Sequence, residues 1–103
     1  MSARKKPAEC QNKQDVRAEI DRIDQILIQI FAERHTYVSR MAQIKTSPDE
    51  ALQPQRIEDV IAKVRSRAKD CGLDEKQAEL VWRTLIDWNI KYEEGIIAAR
   101  TSS

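Results

Sequence analysis

The sequence predicts an all-α fold with three helices per chain: long, short, long. Three observations carry this. Among 103 residues there are only two glycines and three prolines, whereas sandwiches, barrels and hairpin-rich folds need a turn about every 8–12 residues. Apolar residues recur at spacings of three and four, the period of one helix face, over most of the chain. Charged residues make up 34% and hydrophobic residues 41%, the mix of amphipathic helices with one wet face.

The elements follow in chain order. Residues 1–13 are polar and without periodicity, and read as a disordered polar tail. From Asp15 onward Val16, Ile20, Ile23, Leu27, Ile30, Val38 and Met41 mark a single helical stripe. No Gly or Pro interrupts it before Pro48, so one helix is expected over residues 14–46, about 50 Å long at the usual rise. The remaining half of a 103-residue chain is too small to cover such a face, and a partner chain is the economical solution, so a homodimer or larger assembly is expected. Residues 46–53 read as a loop, and Pro54 suits the first turn of a second helix. Ile57, Val60, Ile61, Val64 and Ala68 give that helix its apolar face, and Gly72 ends it. Asp74 then caps a third helix, with Gln77 in the capping-box position. Ala78, Trp82, Leu85, Ile86, Ile96 and Ile97 line one face of it, to about residue 98. The helical domain is therefore expected over 14–98, with a C-terminal tail over 99–103.

Composition also narrows function. Eighteen Lys and Arg against 17 Asp and Glu leave a net charge of +1, unlike a nucleic-acid or membrane-surface binder with its basic excess. Cys10 and Cys71 lack metal-ligand spacing and read as free thiols of a reducing compartment. Neither a signal peptide nor a transmembrane run is evident, which points to the cytoplasm. There is no Gly-rich phosphate loop, activated-nucleophile motif, CxxC or HExxH, so neither a cofactor nor a metal is expected. His35 is the only histidine, has no Cys, Asp or Glu constellation around it, and reads as a surface residue.

Two cations break the pattern of the first helix. On a wheel, Arg34 and Lys45 fall inside the apolar arc of Val16, Ile20, Ile23, Leu27, Val38 and Met41. Buried charge is costly unless paired, so each needs an acidic partner inside the fold or an anionic ligand. The third helix carries the counterpart: Asn89 and Glu93, four residues apart, lie in the arc of Trp82, Leu85, Ile86, Ile96 and Ile97. They suit a polar core pairing with Arg34 and Lys45, or a polar pocket between helices. Arg34 and Lys45 are about 16 Å apart along a helix axis, close enough for two long side chains to converge on one dianion. Arg17 lies about 25 Å from Arg34. If both bind one small molecule, Arg17 must come from the partner of an antiparallel dimer.

These residues and separations resemble the all-α chorismate mutase family, including its isochorismate-pyruvate lyase branch. Val16-Arg17-Ala-Glu-Ile20-Asp21-Arg-Ile23-Asp24 is similar to the family's opening Arg-x-x-Ile-Asp-x-Ile-Asp. Ala32-Glu-Arg34 resembles its mid-helix Glu-Arg, and Lys45 its helix-end lysine. Gln53-Pro-Gln-Arg56 stands where the family has Asp-x-x-Arg followed by Glu, and Gly72-Leu-Asp74 resembles its link to the last helix. The resemblance implies an intertwined homodimer of three-helix chains. It also implies a Claisen rearrangement of chorismate to prephenate, a shikimate-pathway step toward aromatic amino acids that needs no nucleophile or cofactor. Arg34 and the other chain's Arg17 would bind the two substrate carboxylates. Lys45 and Glu93 would be the catalytic pair at the ether oxygen. Arg56 would help close the loop, and Asn89 would support a carboxylate.

Three positions depart from the family pattern. Glu93 stands where most bacterial members have Gln, and an ionised Glu accepts but cannot donate a hydrogen bond. Gln53 replaces the loop Asp. Ile57 replaces the Glu that contacts the substrate hydroxyl, as in the lyase branch, which Trp88 and the step from Lys45 to Arg56 also resemble. The alternative activities are therefore an isochorismate-pyruvate lyase and a non-catalytic helical dimer that regulates a partner enzyme.

Overall fold

A computed structural model describes residues 4–101. Its elements are all helical, with no strand among the described residues. Helix α1 runs Lys13–Ile44, α2 runs Pro54–Cys71 and α3 runs Glu75–Thr101. Short 3-10 turns form at Pro7–Glu9 and Pro48–Glu50. No described helix is long and apolar enough to cross a membrane. The chain divides between Tyr37 and Val38 into two compact units.

In the first unit the start of α1 is set by side-chain capping. Asn12 Oδ1 accepts from the Asp15 amide at 2.8 Å, and Asp15 Oδ2 accepts from the Gln11 amide at 3.1 Å. These bonds satisfy amide donors that a helix N-terminus otherwise leaves open. The stretch expected as a disordered tail differs from that expectation where it is described. Glu9 Oε1 accepts from the Lys6 amide at 2.8 Å, and Lys5 Nζ reaches Asp15 Oδ2 at 3.3 Å. These contacts are between polar and charged groups and leave no apolar period to read; residues 1–3 lie outside the described residues. Val16, Ile20, Ile23, Leu27 and Ile30, expected to be covered, are all exposed in the single chain.

In the second unit α2 and α3 pack together, and α3 also meets the Pro48–Glu50 turn. Ile61 and Ala68 of α2, Ala78 and Ile97 of α3, and Ala42 and Ala51 form the buried apolar core. Val60, Val64, Trp82, Leu85 and Ile86 are half-buried around it, while Ile96 is exposed. The α2–α3 link follows from three residues. Pro54 opens α2, where its missing N–H costs nothing. Gly72 ends it with φ 77° and ψ 20°, and the Leu73 amide donates back to the Ala68 carbonyl at 2.8 Å, a left-handed stop that glycine adopts without strain. Asp74 Oδ1 then accepts from the Gln77 amide at 2.9 Å and starts α3.

Along the solvent side of this pair, the Arg83 guanidinium forks onto Glu58 at 3.1 and 3.0 Å and donates to Glu79 at 2.7 Å. Arg65 also bonds Glu79 and lies 3.5 Å from Glu75. Hydrogen bonds from Arg83, then Arg65, hold the Glu79 carboxyl below the usual carboxylate range. The network crosses from α2 to α3 and fixes their register more than it stabilises them, since exposed ion pairs are worth little.

Two expected helix limits shift. Helix α1 stops at Ile44, short of residue 46, and α3 continues to Thr101, so residues 99–101 are helical instead of tail. Residues 102–103 lie outside the described residues. The extra turn of α3 carries Arg100, whose side chain is tied to the end of α1.

Candidate functional site

The second unit joins two of the sequence-selected residues directly. Lys45 immediately follows the last turn of α1, and its amide still donates to the Met41 carbonyl at 2.9 Å. Its Nζ lies 2.7 Å from Glu93 Oε1 on α3. Both side chains are largely withdrawn from water, at 15% and 10% exposure. The acidic partner that a cation on the apolar stripe requires is thus supplied from within the fold. A close, charge-assisted contact of this length is among the stronger hydrogen bonds, yet the desolvation of both ions offsets much of its Coulomb gain. Breaking it by removing one partner leaves the other as an uncompensated charge.

Asn89 stands one turn before Glu93 on α3 and is also buried. No buried side-chain nitrogen or oxygen among the described residues lacks a hydrogen-bond partner. Tyr92, beside Glu93, shares a 2.9 Å hydrogen bond with Ser39 on α1. Its ring stacks on Trp88 with centroids 5.7 Å apart and planes at 10°. The Tyr92–Ser39 bond links α3 to the last turns of α1, beside the Lys45–Glu93 pair, while the Trp88–Tyr92 stack lies within α3. Trp88 itself remains exposed, as an aromatic face beside the polar residues.

Arg56 sits in the first turn of α2 and is exposed. Gln53, three residues earlier, is the N-cap and donates through Nε2 to the Glu50 carbonyl at 3.1 Å. Ile57 is half-buried on the inner face of α2. In the first unit, Arg17 is exposed and Arg34 half-buried on α1. His35, expected at the surface, is half-buried. Both cysteines are free.

Sequence reasoning missed Ser39, Tyr92 and Arg100. Arg100 donates from Nη1 to the carbonyls of Ala42 at 3.0 Å and Gln43 at 3.2 Å, and from Nη2 to the carbonyl of Lys45. Arg100 lies seven residues after Glu93, two helical turns on and on the same face of α3, but a charged residue near a helix end gives no reason by itself to look there.

Chemically, the paired site offers an ammonium with further donor capacity and a carboxyl group, both largely dry. Such a pair can aim a positive donor at an oxygen that gains negative charge during reaction. The chain is 30% identical over 86 residues to an isochorismate pyruvate lyase of Pseudomonas aeruginosa, covering 84% of this chain and 85% of that protein. The family model described as chorismate mutase type II matches residues 16–94. That match spans every residue singled out from the sequence as a site candidate, and the chain belongs to the chorismate mutase type II family.

Proposed function

We propose that this protein is a chorismate mutase that converts chorismate to prephenate. The observation carrying the reading is the buried 2.7 Å contact between Lys45 and Glu93, at the two positions where the family resemblance implies the ether-oxygen pair. In the reaction one C–O bond breaks and one C–C bond forms within the same molecule, so atoms and electrons balance with no co-reactant. Lys45 donates to the ether oxygen as negative charge grows there. Glu93 acts as the second group at that oxygen and must carry its proton to donate. Arg34 and, from a second protomer of a homodimer, Arg17 bind the two carboxylates. Asn89 supports a carboxylate, and Arg56 helps close the loop over the substrate.

Charge pairing to a dianion strengthens binding of substrate and transition state alike. Acceleration comes from holding the compact, chair-like conformer and from donors aimed at the developing charge. Removal of one such donor typically costs about 10²–10³ in rate. Isochorismate-pyruvate lyase activity is the second reading. It is favoured by the similarity to the Pseudomonas protein and by Ile57 in place of a substrate-contacting Glu. Glu93 favours the mutase, because the lyase branch keeps Gln at that position.

One paired assay decides between them. Purified protein is incubated with chorismate and, separately, with isochorismate, and prephenate and pyruvate are measured. The mutase reading expects prephenate from chorismate. Pyruvate from isochorismate without prephenate overturns it in favour of the lyase. Silence with both substrates in a folded protein overturns both and leaves the regulatory dimer.

A further inference from the structure

Helix α1 has no basic residue in its last turn. A helix C-terminus leaves carbonyls without amide donors and carries partial negative charge. Ala42 is fully buried, so water has little access to its carbonyl. Arg100 answers this from another element, 55 residues beyond Lys45. Its guanidinium bonds the carbonyls of Ala42, Gln43 and Lys45 together. Arginine's rigid fork of five donors suits three carbonyls at a helix end better than the single ammonium of lysine.

The consequence falls on Lys45. Its carbonyl lies past the end of α1 and is held by Arg100, while its ammonium is held by Glu93. Glu93 and Arg100 are two turns apart on one face of α3, with the fully buried Ile97 between them. One stripe of α3 therefore grips this residue at both ends. We propose that Arg100 is a positioning residue: it pins the C-terminal end of α1 so that the Lys45 ammonium is directed to the reacting oxygen. The catalytic part of this inference rests on the activity proposed above, whereas the tether itself does not.

The test uses Arg100→Gln and Arg100→Lys in the full chain. Amide hydrogen exchange is followed at residues 42–46, and kcat and KM are measured with whichever substrate the wild-type protein turns over. The urea midpoint reports global stability. Arg100→Gln is expected to speed exchange at 42–46 selectively and to lower kcat about 10- to 100-fold, with KM changed less than about threefold, as expected for a misplaced catalytic group. Arg100→Lys keeps the charge and recovers part of kcat. Should Arg100→Gln fail to fold, Arg100→Lys alone carries the same expectations at smaller amplitude. Unchanged exchange at 42–46, or kcat within twofold of wild type once the tether is lost, overturns the inference. Wild-type inactivity on both substrates overturns the functional reading instead, and the exchange measurement then still decides whether Arg100 tethers Lys45.

Discussion

In the mechanism proposed above, Glu93 is the residue on which the chemistry turns. In the free protein it accepts from Lys45, as a carboxylate does. To donate to an ether oxygen, as the proposed mechanism requires, it must hold a proton. Under the proposed mechanism only a protonated Glu93 can donate, so the mutase rate should fall as pH rises. Glu93→Gln supplies a permanent N–H donor of similar size. Its kcat profile should be flat between about pH 5 and 8, and it should exceed wild type at the alkaline end. A kcat–pH series on both proteins checks this, and an unchanged slope in the variant counts against a proton on Glu93. At this scale the sequence was informative wherever a residue contradicted its own surroundings. Lys45, Asn89 and Glu93 stood out because polar groups on an apolar arc need partners. Arg100 did not, because a charged residue in an exposed last turn contradicts nothing. Its partners are backbone carbonyls at the end of α1, the farthest of them 58 residues away in sequence.

At the scale of elements, the helix limits were legible where backbone chemistry is local. Pro54, Gly72 and Asp74 each act through their own turn, and α2 and the start of α3 fall where those residues put them. The C-terminus of α3 and the Pro7–Glu9 turn were not legible, since side-chain contacts hold them and not a period. The two glycines separate these effects. A Cβ added at Gly72 or Gly95 meets nothing within 4 Å, so packing does not decide the outcome at either. Gly72 has φ 77°, where any L side chain is strained, so Gly72→Ala should destabilise by about 1 kcal/mol. Gly95 lies inside α3, where alanine is the better helix former, so Gly95→Ala should stabilise by roughly 0.5–1 kcal/mol. Urea midpoints of the two variants should move in opposite directions. A shared direction would mean that backbone conformation is not what distinguishes them.

For the whole molecule, the exposed stripe on α1 is the unresolved surplus of apolar surface. Val16, Ile20, Ile23, Leu27 and Ile30 are 44–55% exposed in the single chain, although their spacing is that of a buried face. Scattered exposed apolar residues are ordinary, but a continuous stripe marks an interaction surface. The same period that made α1 legible as a helix thus also points beyond one chain, and no feature internal to a monomer can say what covers it. We propose that a second copy does, which would also let Arg17 reach a site from the other protomer. A dimer whose folding and association are linked has a stability that rises with protein concentration. Sedimentation equilibrium should therefore give twice the chain mass at micromolar concentration, and the urea midpoint should increase as concentration is raised. Ile23→Asp places a charge in the centre of the stripe, where an unpaired buried ion costs several kcal/mol. It should shift the mass toward that of one chain and remove the concentration dependence. Activity should fall with it, and mixing inactive Arg17→Ala and Arg34→Ala chains should restore part of the rate through sites that draw one intact arginine from each protomer. A monomeric wild type with a concentration-independent midpoint, or no recovery on mixing, would require Arg17 to act elsewhere than in a shared site.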